Sequence, residues 1–236
     1  MKFHLVVGSK GEVGSALVTL LKEKFQVEGI DKDDYTVSRF DYVHITIPYT
    51  KDFIKIVHKY RAVNLKLSTG VLIIHSTVPV GVSQLLKAVH SPIRGQHPHL
   101  VKGIKTFVKY FGGEQAEEAA KPFRELGIEC IVVKDSRSTE ALKLWDTLQY
   151  GLFILINKSI YQYCEELGLN PYFIYDHANR TYNEGYQKLD KSGVTRPILK
   201  YMPGPIGGHC IMENARMISD SLADLLLERN SWYNKE

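Results

Sequence analysis

The chain has 236 residues, 44% hydrophobic and 24% charged, which is enough apolar content for one large core or two small ones and excludes a disordered tail, a collagen-like repeat or a disulfide scaffold. A net charge of +4 suits an anionic small molecule but is not the concentrated basic face of a nucleic-acid binder. The longest apolar run, Gly151–Ile156, is too short to cross a bilayer, and three widely spaced cysteines (Cys130, Cys164, Cys210) point to a reducing, cytoplasmic setting with no disulfide framework and no zinc site.

In chain order, Lys2–Val7 reads as a strand that begins almost at the N-terminus, so no targeting leader is expected. It breaks at Gly8, and Val13, Ala16, Leu17, Leu20 and Leu21 then recur at helical spacing. Strands follow at Phe25–Ile30, Tyr42–Ile47 and Val71–His75, with helices over Lys51–Tyr60 and Val82–Val89. Further strands are expected at Phe107–Phe111 and Glu129–Val133, flanking a helix over Gln115–Leu126. Short buried strands alternating with helices specify a doubly wound, Rossmann-like parallel sheet.

The pattern changes near residue 137. Leu142, Trp145, Leu148, Leu152, Leu155, Ile156 and Ile160 fall on one stripe of a long helix from Thr139 to about Leu167, with Ser138 as the expected N-cap and Gly168 as its stop. Helices over Pro171–Asn179 and Met212–Glu228 follow, separated by a Pro/Gly-rich loop at Met202–Gly208. The expected layout is a nucleotide-binding α/β domain over 1–136 and an all-α domain with a long central helix over 137–236.

Between the first strand and first helix stands Gly8-Ser-Lys-Gly11-Glu12-Val13-Gly14. Gly8 permits a tight turn, Gly11 a close backbone approach to a pyrophosphate, and Gly14 close helix–strand packing, while the amides of the helix N-terminus hold phosphate. The spacing G-x-x-G-x-x-G is not the commonest version, but strand, helix and Asp31 at the end of the next strand stand in the right order. A carboxylate there accepts hydrogen bonds from both ribose hydroxyls and repels a 2′-phosphate, so NAD is favoured over NADP. Pro48 and Thr77 lie at later strand ends, where ligands of open α/β sheets bind; Thr77 reads either as a ligand contact or as a strand-end cap. Arg94, His97 and His99 form a loop that reads equally as an anion site, a general base or a polar surface turn, and two histidines alone do not make a metal site. Cys130 and Cys164 read as small core residues.

The segment Met202-Pro-Gly-Pro-Ile-Gly-Gly-His-Cys210-Ile-Met-Glu-Asn214 resembles the cysteine loop of the UDP-glucose/GDP-mannose dehydrogenase family, most closely its UDP-N-acetylmannosamine dehydrogenase branch, whose pattern is approximately P-G-P-x-x-G-G-H-C-I-x-x-D. Ser76-Thr77-Val-Pro79-Val-Gly81, the Asp31 loop and Glu140-Ala-Leu-Lys143-Leu agree with the same family in the same order. The resemblance spans essentially the whole chain and covers the family's cofactor and central helical domains, so a chain without the family's C-terminal nucleotide-binding domain is expected. It implies NAD-dependent oxidation of a primary alcohol to a carboxylate in two hydride transfers, through a thioester on a cysteine. By resemblance Cys210 is the nucleophile, with His209 beside it; Lys143 stabilises the oxyanion, and Thr77 helps to place water. The family's asparagine four residues after the lysine is here Thr147, its aspartate four after the cysteine is Asn214, and its catalytic glutamate has no counterpart. The resemblance also implies a homodimer through the long helix and a sugar-type, anionic substrate. Two alternatives stand beside it: a catalytically degenerate NAD-binding module of the same family, and a β-hydroxyacid-dehydrogenase-like enzyme that uses the lysine without a cysteine.

Overall fold

A computed structural model of the chain describes residues 2–31, 34, 36–95, 98–207 and 209–233. The residues divide into two compact units, Met1–Lys143 and Leu144–Glu236, with the division inside one long helix.

The first unit is built on seven strands: β1 (Phe3–Val7), β2 (Gln26–Ile30), β3 (Tyr42–Ile45), β4 (Val71–Ile74), β5 (Val89–His90), β6 (Lys109–Gly112) and β7 (Cys130–Val133). They lie in the order β2-β1-β3-β4-β5-β6-β7. Between them run α1 (Glu12–Leu21), α2 (Phe53–Asn64), α3 (Val82–Leu85), α4 (Leu100–Thr106) and α5 (Ala116–Glu125). Strand residues alternate between two apolar layers, as a period of two requires. Val6, Tyr42, Ile73, Val89 and Phe111 pack with residues of α1, α4 and α5, while Leu5, Val7, Val43, Ile45, Leu72 and Ile74 pack with residues of α2 and α3. This is a Rossmann-like α/β sheet covered on both faces.

Among the described residues five of the six strand pairings are parallel; β5 and β6 are antiparallel, so the sheet is mixed rather than all-parallel. An apolar run carries no direction. The connection over residues 91–108 starts and returns at the same end of the sheet, which reverses β6. The expected helix over Val82–Val89 is a single turn, α3, followed by β5, and α4 was not anticipated.

The long helix, α6, spans Ser136–Glu166, 31 residues. It starts two residues before the expected cap Ser138, because Asp135 does the capping: its carboxylate accepts from Arg137 N at 3.0 Å and grips the Arg137 guanidinium. At its far end Gly168 has φ +66° and Leu169 N donates to Cys164 O at 2.7 Å, a left-handed stop. The second unit continues with a π-helical turn (Tyr172–His177) leading into α7 (Ala178–Lys188), then α8 (His209–Ala215) and α9 (Ser221–Trp232). The expected single helix over Met212–Glu228 is therefore two, divided where Asp220 turns extended and caps α9 through Leu222 N at 2.9 Å. Leu148, Leu155, Ile206, Ile211, Ala215, Ala223 and Leu226 form this unit's core.

Candidate functional site

The strand order reverses at β1, which lies between β2 and β3, so a crevice opens beyond their carboxyl ends. Gly8 turns the chain there with φ +91°, and a Cβ on it would lie 2.8 Å from Thr46 Oγ1 after β3. Gly14 is tighter still: a Cβ there would sit 2.1 Å from Gly8 O, so the first turn of α1 rests on the loop. Gly8 N and Ser9 N both donate to Ile30 O, at 2.9 and 3.1 Å, and Lys10 N donates to Asp31 Oδ2 at 3.2 Å. Gly8, Gly11, Gly14 and Asp31 are thus one structure. Gly11 is the N-cap of α1 and brings no side chain to the helix N-terminus, and a Cβ there would meet only Gly8 O, at 3.4 Å. Phosphate oxygens fit that cradle. Two neighbouring residues support the turn. Gly29 on β2 leaves room for Ser9, and Thr46 bonds Val7 O at 2.7 Å, bracing the turn. Pro48 is exposed beyond β3 and Thr77 is half-buried beyond β4.

Glu140 is a further contributor of structural weight. Fully buried on α6, it accepts from Gly81 N at 2.6 Å and Ser83 N at 2.7 Å, fixing the Thr77–Gly81 loop. Gly81, at φ +101°, makes that geometry accessible. One helical turn on, half-buried Lys143 donates to Ile93 O at 3.0 Å. Arg94 lies over the rings of Phe107 and Tyr110, 5.5 and 5.8 Å from their centroids, and His99 precedes α4. His97 and the side chain of His209 lie outside the described residues.

Beneath this crevice the sheet carries a row of buried histidines that sequence reading missed. His4 Nδ1 meets His44 Nε2 at 3.0 Å, His44 Nδ1 meets His75 Nε2 at 3.0 Å, and His75 Nδ1 meets Ser91 O at 2.8 Å. A carbonyl only accepts, so each neutral imidazole carries its proton on Nδ1 and the row points one way. Burial pushes His4 down to about 4 and His90 to about 3, and holds His44 and His75 well below the ordinary histidine value. Lys109, buried beside His75 at 3.5 Å, is pushed down to about 7 by burial.

In the second unit Cys210 is exposed in the first turn of α8. Asn214, buried one turn later, donates to Thr147 Oγ1 at 3.1 Å, and Thr147 Oγ1 donates to Leu144 O at 2.9 Å. Two of the positions at which the chain departs from the resembled pattern, one after the lysine and one after the cysteine, are therefore paired with each other. Cys164 is buried and Cys130 half-buried, its thiol pushed up by burial. Among the described residues no three His, Cys, Asp or Glu side chains group to hold a metal, and no helix is long and apolar enough to cross a membrane.

No protein-family model and no curated protein matches the sequence. Solved structures do match. A UDP-D-ManNAc dehydrogenase from Pyrococcus horikoshii superposes with a TM-score of 0.79 at 14% identity, over 98% of this chain and 68% of that one. The UDP-N-acetyl-mannosamine dehydrogenase Cap5O from Staphylococcus aureus gives 0.75 at 16% identity, again over 98% and 68%. A 3-hydroxyisobutyrate dehydrogenase from Mycobacterium tuberculosis gives 0.71 at 15% identity, over 100% of this chain and 94% of that one. At such identities the likeness is one of fold. The chain has the Rossmann-like sheet and following helical region that these dehydrogenases share, and it spans about two thirds of the UDP-sugar dehydrogenases it matches.

Proposed function

We propose that the chain is an NAD-dependent oxidoreductase of the nucleotide-sugar dehydrogenase type, oxidising a primary alcohol of an anionic, sugar-type substrate through Cys210. The observation that carries this reading is the presence, in one chain, of the Gly8–Gly14 cradle joined to Asp31 in the first unit and of an exposed thiol at Cys210 in a Pro/Gly-rich segment of the second. Gly11 and the amides of Glu12, Val13 and Gly14 would hold the pyrophosphate, Asp31 the ribose, and Pro48 and Thr77 would border the crevice. NAD, when bound, supplies the hydride acceptor. The chain's own residues do the rest: the Lys143 ammonium faces the oxyanion, the Thr77 hydroxyl orients water, and the Cys210 thiolate attacks the aldehyde carbon. Arg94, His97 and His209 are proposed to contact the substrate's anionic part. Position 214 carries an amide and position 147 a hydroxyl, so neither is a carboxylate base. A homodimer packed through α6 and a cytoplasmic location belong to the same proposal.

A second reading has its own observation. The 3-hydroxyisobutyrate dehydrogenase is covered over 94% of its length. That reading keeps Lys143 and dispenses with the thiol.

The test is NADH formation with a panel of UDP- and GDP-sugars beside small 3-hydroxy acids. Turnover of a nucleotide sugar supports the proposal. Turnover confined to 3-hydroxy acids supports the second reading, and NAD binding without any turnover identifies a non-catalytic module.

A further inference from the structure

We propose that Lys158 is a positioning residue for Cys210, the upstream end of a docking stripe on α6 that fixes the cysteine segment; this deepens the function proposed above and rests on it. Thr147, Gly151 and Lys158 are spaced by four and seven residues and share one helix face. The cysteine segment runs antiparallel along them. Asn214 bonds Thr147 at 3.1 Å. Ile211 packs where Gly151 has no side chain, since a Cβ there would lie 2.7 Å from Ile211 Cγ2 and 2.7 Å from Leu226 Cδ2. At the far end the Lys158 ammonium donates to Met202 O and Gly204 O.

Lys158 is only 3% exposed, and among the described residues no carboxylate pairs with it. Its charge is met instead by those two carbonyls and by the faces of Tyr201 and Tyr233, at 5.5 and 5.1 Å from the ring centroids. A buried cation is a costly way to hold a loop unless the loop's position matters. Gly204, at φ +72°, turns one carbonyl toward it. Downstream, Asn230 accepts from Ile206 N at 2.6 Å. Cys210 is thus bracketed by anchored Ile206 and Ile211, both buried, while the thiol itself stays exposed.

The experiment compares wild type with Lys158→Met, Lys158→Gln and Lys158→Arg. The iodoacetamide labelling rate of Cys210 is read by peptide mass spectrometry against half-buried Cys130, and kcat and KM are measured with NAD and the nucleotide sugar that turns over. The expected result for Lys158→Met is a Cys210 to Cys130 labelling ratio altered about three-fold or more, and kcat lowered about ten-fold or more with KM for NAD unchanged, both restored by Lys158→Arg. Should Lys158→Met not fold, Lys158→Gln, which keeps two N–H donors and loses the charge, carries the same comparison. A folded variant with the wild-type labelling ratio and wild-type kcat overturns the proposal. If wild type turns over no substrate, the functional reading fails, while the labelling ratio still decides whether Lys158 positions the thiol.

Discussion

At the scale of single residues, the strongest constraint near the crevice is a carboxylate that never meets solvent. Glu140 accepts two backbone N–H groups from the loop after β4. Hydrogen bonds to a charged group contribute about 1.5–3 kcal/mol each. Glu140→Gln keeps the shape, loses the charge and turns one acceptor into a donor facing an N–H. A stability loss of about 2–4 kcal/mol in urea unfolding is expected; a loss within error of zero would mean that the loop is held by other contacts.

The buried bases make a second prediction, about pH. Lys109 loses its proton above about 7 in the folded chain, while an unfolded lysine keeps it to 10.5. Between those values the unfolded state binds more protons, so stability rises with pH. Two pH units correspond to roughly 2–3 kcal/mol between pH 7 and 9. The groups facing Lys109 are His75, with His44 and His90 beyond it, Cys130 on β7, and the rings of Phe111 and Phe123. Cys130, whose pKa is raised from 9.0, opposes the rise only at higher pH. The histidines act in the acid range with the same sign: kept neutral by burial, they lose stability for the fold as pH falls from 6.5 toward about 4 for His4 and about 3 for His90. Lys109→Met should therefore be more stable than wild type at pH 7 and should flatten the rise to pH 9, as read by denaturant midpoints. An unchanged slope would place the alkaline dependence elsewhere.

At the scale of elements, the glycine loop separates packing from ligand approach. Gly14→Ala drives a Cβ into Gly8 O and must push α1 off the loop, so it should destabilise the fold by about 1–3 kcal/mol. Gly11→Ala meets only Gly8 O, at ordinary contact distance, so it should fold normally. If Gly11 faces a pyrophosphate, the added methyl group weakens NAD affinity about ten-fold or more in calorimetric titration. Wild-type NAD affinity in Gly11→Ala would remove this loop from the cofactor site.

The same elements show what residue patterns reveal. The strands β1 to β3 and the turn at Gly8 announce themselves as apolar runs closed by Gly, Asp or Pro, β4 as an apolar run closed at Ser76-Thr77, and the Cys210 segment by its glycines and prolines. β5 does not, because it is only two residues long and its first, Val89, ends the helical pattern of Val82–Val89. The gap between α8 and α9 is hidden because Met217, Leu222, Leu225 and Leu226 keep helical period across it, and only the Asp220 cap marks the break. The histidine row was invisible for a different reason. His4, His44 and His75 are 40 and 31 residues apart, and sheet register alone brings them together. Lys158 carries no sequence signal of its role, since nothing local shows that Met202 and Gly204 turn carbonyls toward it.

At the scale of the molecule, the second unit exposes apolar surface that its own core does not use. Ile156, Ile160, Tyr163, Ile174 and Leu225, with Ser159 and Arg229, line a groove of about 520 Å³ floored by the core residue Leu155, and Ile156 and Tyr163 are more than half exposed. Patches of this kind mark interaction sites. Under the proposed homodimer through α6, wild type should elute with twice the chain mass in light scattering and Ile156→Glu with the chain mass. A monomeric wild type at micromolar concentration would contradict that part of the proposal.

The proposed chemistry turns on the Cys210 thiol. The most direct measurement is the number of NADH formed per substrate consumed, wild type beside Cys210→Ala, with the nucleotide sugar that turns over. Two NADH per molecule for wild type, with release of acid abolished in Cys210→Ala, is the predicted result. Equal acid release by Cys210→Ala and wild type, or one NADH per substrate in both, would contradict the thioester route and leave Lys143 alone to account for the chemistry.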